Sequence, residues 1–238
     1  MDELLIEAAK KGNLEEVKRL VSNGANMHAE SGEAFQNAAA DGDLKIVKFM
    51  VEQGIDIHID YDGALMNAVC YHHLDVVKYL VNNGADVCAD NSKALTYACN
   101  EGELEIVKYL VQNGANIHAN NEEPLRYACY GCHYEVAKFL IDNGANVCCE
   151  DSRILRLMCD EGYLSMAELL VERGADIHAH NEDALLAACE NGHFDIVRFL
   201  VRNGANIRAQ DNLALQYAYE NEHIEIVEYL KQCGASLE

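Results

Sequence analysis

GELEIVKYLVQNGANIHA, residues 102–119, holds the pattern that decides the fold. Leu104, Ile106, Val107, Leu110 and Val111 recur at helical spacing, while Glu105, Lys108 and Gln112 stay polar. A stripe of that period belongs to a helix with one buried face. Glu105 precedes Lys108 by three residues, an order that suits both the helix dipole and a side-chain ion pair. Gly114 comes just after the periodic stretch, where a helix ends on a residue with positive φ. The spacing predicts a helix over about 103–112 that stops before Gly114.

The pattern returns every thirty residues without a gap. Seven full units span 1–30, 31–60, 61–90, 91–120, 121–150, 151–180 and 181–210, and a shorter one spans 211–238. Counting positions 1 to 30 within a unit, only position 24 is invariant: Gly24, Gly54, Gly84, Gly114, Gly144, Gly174, Gly204 and Gly234. A shorter helix is predicted over positions 2 to 10, as in LRYACY, residues 125–130. Leu or Phe holds its position 5, Ala nearly always its position 8, and mostly small residues its position 9, which implies close helix packing. Ser31, Asn91, Asn121, Asp151, Asn181 and Asp211 at position 1 are N-cap candidates. Each unit is therefore helix, tight turn, helix and a GA[DN][IV]xA loop.

Two short helices cannot bury their stripes alone, so neighbouring units must stack. The expected fold is all-α: one solenoid over 1–238 whose first and last units act as caps. Glu7, Glu16 and Arg19 in the first unit, and Lys231 in the last, place polar groups where inner units are mostly apolar.

Forty acidic residues against eighteen basic ones give a net charge of −22, which argues against nucleic acid and anionic membrane as partners. A protein partner is expected, and the chain is expected to be a monomer. The ten cysteines follow a Met1-Asp2-Glu3 start with no basic and apolar leader, so a reducing, cytoplasmic setting is expected. No apolar run approaches the roughly 18 residues of a membrane span.

GELEIVKYLVQNGANIHA and GHFDIVRFLVRNGANIRA, residues 192–209, resemble the second helix and loop of the ankyrin repeat. The likeness extends over all eight units. Pro124-Leu125-Arg126-Tyr127-Ala128 comes nearest to the family's first-helix motif T-P-L-H-x-A. Units three residues shorter than the family's usual thirty-three imply that its β-hairpin fingers are shortened or absent. Strict thirty-residue units with loops such as NGANIHA, residues 113–119, also resemble ankyrin proteins encoded by giant DNA viruses of amoebae, which would place the chain in the host cytosol.

Cys129-x-x-Cys132-His133 has the spacing of a c-type haem attachment site, and Cys148-Cys149 could complete a zinc site. This metal or redox module over 129–149 is the alternative function. Against it, Cys129 occupies the small-residue position 9, and Cys132 and His133 sit in a turn that recurs in every unit. The histidines and cysteines at position 28 (His28, His58, Cys88, His118, Cys148 and His178) are a unit apart, too far to share an ion whose ligands lie at about 2.0–2.3 Å. They are expected to bond local backbone. No metal or cofactor is expected, and no phosphate loop, H-E-x-x-H or G-x-S-x-G motif points to catalysis.

With positions 4, 5, 8 and 9 facing the core, positions 3, 6, 7 and 10 form an outer stripe. In ankyrin proteins first helices line the concave face, so the resemblance makes this stripe the binding groove. Tyr97, Asn100, Arg126, Tyr127, Tyr130, Arg153, Arg156 and Asp160 are the candidate partner-binding residues. Tyrosine and arginine dominate interface hot spots through amphipathic area and charge-assisted bonds. The competing reading makes the position-7 tyrosines packing residues and the arginines counter-ions. The sixth unit departs most from the pattern, through Met158, Ser165, Met166, Ala167 and Glu168, and reads either as a weak joint or as a surface shaped for a partner.

Overall fold

The structure, a computed structural model, describes residues 1–236; the last two residues, and the side chains of residues 150 and 151, lie outside the description. The described residues form helices and no strand. In order these are α1 (Asp2–Lys10), α2 (Leu14–Ser22), α3 (Ala29–Ala40), α4 (Leu44–Glu52), α5 (Ile59–Cys70), α6 (Leu74–Asn82), α7 (Ala89–Glu101) and α8 (Leu104–Gln112). Then come α9 (Ala119–Tyr130), α10 (Tyr134–Asp142), α11 (Cys149–Asp160), α12 (Leu164–Glu172), α13 (Ala179–Glu190), α14 (Phe194–Arg202), α15 (Ala209–Glu220) and α16 (Ile224–Gln232). The helices fall into two compact units, Met1–Tyr127 and Ala128–Glu238.

In the first unit α1, α3, α5 and α7 pack side by side, and α2, α4, α6 and α8 form a second row. The other unit repeats the scheme with α11, α13 and α15 in one row and α10, α12, α14 and α16 in the next. The sequence period sets this arrangement. Position 20 (Leu20, Met50, Leu80, Leu110, Leu140, Leu170, Leu200 and Leu230) is at most 2% exposed throughout, so its side chains form the spine of each row. Truncating one such leucine to alanine costs about 2–5 kcal/mol. Met158, Met166 and Ala167 are buried with that core, so most of the sixth repeat's irregularity is a change of packing residue.

The second helices end as expected. At the α8 terminus the Ala115 N–H bonds the Leu110 carbonyl at 3.0 Å and the Gly114 N–H bonds the Val111 carbonyl at 3.0 Å. This paired closure needs a left-handed residue, and Gly114 has φ +97°. A Cβ there would meet nothing within 4 Å, so glycine is required for its dihedral and not for room.

The first helices differ from expectation at their start. Position 1 is not an N-cap. At the start of the α5 range, just after Ile59, Asp60, Tyr61 and Asp62 take φ of 54°, 53° and 59°, three consecutive left-handed residues before the regular right-handed turns begin. Ser31, Asn91, Asn121, Asn181 and Asp211 occupy the middle of the same turn, with φ between 54° and 58°; the Asp151 side chain lies outside the description. This left-handed turn stands where the family's fingers would project. Such a residue costs about 1–2 kcal/mol, least for Asn and Asp, whose short side chains bond locally. Hydrogen bonds offset that cost: the position-26 side chain accepts the position-28 N–H, as from His118 to Asn116 at 3.0 Å and Cys88 to Asp86 at 2.8 Å.

Position 12 is left-handed too, and there space matters. His73 lies over Gly42, His193 over Gly162 and His223 over Gly192, so that an added Cβ would stand 2.5–2.7 Å from a ring atom. Each ring bonds through Nε2 to the carbonyl oxygen of Ala40, Asp160 or Glu190, at 2.8, 2.8 and 2.9 Å. Glycine at position 12 of one repeat thus admits a histidine from the next, which fixes the register between them.

Candidate partner-binding surface

Both units carry part of the first-helix stripe. In Met1–Tyr127 it carries Tyr97 and Tyr127, which are 41% and 37% exposed, more than a packing role requires. Between α7 and α9 they border a cleft of about 230 Å³, also lined by Lys93, Thr96, Asn100 and Glu123. The charges are unevenly satisfied. The Lys93 ammonium is held 3.1 Å from the Asp90 carboxylate, whereas Glu123 accepts only the Asn120 amide, at 2.9 Å, and is paired with no cation among the described residues. Thr96 is 8% exposed, and its Oγ1 has no hydrogen-bond partner among the described residues. Arg126 is half-buried on the same helix face.

In Ala128–Glu238, Tyr130 is exposed, as are Arg153 and Arg156. The Arg156 guanidinium reaches to 4.0 Å from the Asp160 carboxylate, which also accepts the Asn191 amide at 2.9 Å. Arg156 thus faces a carboxylate that is already engaged by an amide. Leu186 and Ala187, the next positions 6 and 7, are buried, so the open stripe does not extend to α13 unchanged.

The cysteine cluster belongs to the framework. Cys129 is fully buried, and burial, with smaller contributions from Cys149 and Cys132, pushes its thiol up to about 12. A thiol so disfavoured as thiolate is a poor metal ligand and a poor nucleophile. Cys132 is exposed and left-handed, at the position where other repeats carry glycine, and it pairs with Tyr163, raising that phenol. That contact is the position-12 to position-13 joint in another chemistry. All ten cysteines are free thiols, and among the described residues no three His, Cys, Asp or Glu side chains converge as a metal site.

The position-28 ladder has a role that only the three-dimensional arrangement discloses. Cys88 and Cys148 bond the carbonyls of Gly114 and Gly174, and Arg208 that of Gly234, so these residues do bond backbone, but in the following repeat. His58, His118 and His178 instead reach the buried carboxylates of Asp62, Glu122 and Glu182, at 3.2, 2.6 and 2.6 Å. Asp62, Ser92 and Ser152 in turn accept the N–H of Asp86, Asn116 and Asp176, each at 2.9 Å. Where Gly32 provides no such acceptor, the His28 ring takes its place and accepts the Asp56 N–H at 3.1 Å. The ladder ties repeats together.

These features define a repeat architecture: stacked helix-turn-helix modules with a regular framework and a variable outer stripe. Sequence comparison agrees. The family described as ankyrin repeats, three copies, matches residues 5–91, 87–151 and 155–238, and the chain belongs to it. No curated protein matches the chain. No helix among the described residues is long and apolar enough to cross a membrane.

Proposed function

We propose that the chain is a non-catalytic scaffold that binds a segment of another protein along the outer stripe of its first helices. Ankyrin repeats generally mediate protein–protein interaction. The observation that carries the reading to this surface is the exposure of Tyr97, Tyr127 and Tyr130 on faces that the core leaves unused. Large amphipathic side chains held on rigid helices contribute most to association, because little conformational freedom remains to be lost. Arg126, Arg153, Arg156, Asn100 and Asp160 complete the set, and one continuous stack over 1–238, with this stripe concave, is part of the same proposal. So are its monomeric state and its place in a reducing cytosol.

The test is capture from the native cell with the wild type and with Arg126→Ala, Tyr130→Ala, Arg156→Ala combined, at matched helicity by circular dichroism. A bound protein lost with the variant supports the site. Equal capture by both overturns it.

A further inference from the structure

We propose that the cleft between α7 and α9 is a receptor for one arginine side chain of the bound protein. The inference rests on the stripe being the binding surface and names the chemistry that one part of it recognises. The cleft, about 230 Å³, is smaller than the roughly 300–1,000 Å³ of small-molecule sites and suits a single long side chain.

Its lining selects among side chains. Tyr97 and Tyr127, at the same position of adjacent repeats, offer two aromatic walls to one occupant. A planar guanidinium stacks on such rings, which attract it through their quadrupole. The charge at the cleft with no counter-ion among the described residues is the Glu123 carboxylate, since Lys93 is already held by Asp90. A carboxylate facing a guanidinium makes the strong, forked kind of hydrogen bond. Thr96 lines the cleft as well, and its Oγ1 is buried without a partner among the described residues. A buried polar atom left unsatisfied is destabilising, and a donor delivered by a ligand removes that penalty. An acidic occupant would meet Glu123, and an apolar one would leave Thr96 unsatisfied and bury the carboxylate. The net charge of −22 draws a basic segment to the protein in the first place.

The experiment is selection of random displayed dodecapeptides on the full chain, followed by titration of synthetic copies in which each arginine is replaced by neutral, isosteric citrulline. Peptides whose binding is lost with Tyr97→Ala and Tyr127→Ala should share one arginine. Its replacement by citrulline should weaken binding by about tenfold or more. Thr96→Val and Glu123→Gln should weaken the same peptides, while Thr96→Val raises the thermal midpoint of the free protein by removing the unsatisfied hydroxyl. That pair of opposite signs excludes damage to the fold as the cause. Peptides that need both tyrosines but tolerate citrulline would overturn the arginine receptor and leave the stripe standing. A selection that gives no tyrosine-dependent peptide would overturn both.

Discussion

The imidazole of His193 rests on the backbone of Gly162, so close that a methyl group added to the glycine would stand 2.7 Å from the ring, and its Nε2 lies 2.8 Å from the Asp160 carbonyl oxygen. One contact thus joins the turn of one repeat to the turn of the next. Gly162→Ala should destabilise the protein more than Gly114→Ala. The latter pays about 1–2 kcal/mol for a left-handed alanine in open space. The former adds an overpacking cost of about 1–3 kcal/mol. Urea denaturation of both variants and of Gly162→Ala with His193→Ala checks this. The double variant should fall short of additivity by about 0.5–3 kcal/mol.

Glu222 holds a left-handed φ of 61° at the position where five repeats carry glycine. It is exposed, so its side chain brings little packing in return. Glu222→Gly should stabilise by about 1 kcal/mol, the conformational cost being relieved against a smaller loss of unfolded-state restriction. A raised urea midpoint at unchanged slope is the expected readout.

His178 titrates above the ordinary imidazole range because it bonds the buried Glu182 carboxylate, with a smaller contribution from the Asp176 charge. A pKa raised on folding stabilises below the unfolded value and ceases to do so as pH rises through the folded value. The wild type should therefore exceed His178→Gln in stability by more at pH near 6 than at pH near 8. Paired thermal melts across that window decide it, and an unchanged or inverted difference would contradict the assigned sign.

Thiol accessibility separates framework from surface. Cys88, Cys132, Cys148 and Cys233 are exposed, whereas Cys99, Cys129, Cys149, Cys159 and Cys189 are buried. Burial pushes the thiols of Cys129, Cys159 and Cys189 up to about 12. In the native protein an aromatic disulfide reagent should modify the four exposed thiols rapidly, and the five buried ones only on addition of denaturant. Fast reaction of Cys129 would reopen the redox alternative.

Much of this fold is written plainly along the chain, and the part that is not has a physical reason. Leu110 and Gly114 are legible because burial demands one kind of residue and a positive φ another, and neither demand has a substitute. Asn91 and Asn121 are ambiguous, since short polar side chains favour both a helix N-cap and the left-handed region. Tyr61, a poor cap at the same position, is the residue that hints at the left-handed alternative, and it stands 81% exposed with φ 53°. The Gly162–His193 joint is hidden within any single repeat and emerges only when position 12 is compared with position 13 of the next. For the stripe, period alone places Tyr97 and Tyr127 outside the core, but only coordinates show how far each projects and that Thr96 lies between helices with its oxygen unsatisfied.

The three left-handed residues that open α3, α5, α7, α9, α13 and α15 carry an evolutionary corollary. The connector is short, uses residues of similar chemistry in nearly every copy, and closes over a fixed number of peptide units, so a one-residue insertion there would rotate everything downstream out of phase. Gain or loss of a whole thirty-residue block would instead recreate the same joint at the new boundary. Lengthening by tandem duplication is thus sterically permitted where gradual growth is not, and the uninterrupted thirty-residue count is the trace such a history leaves.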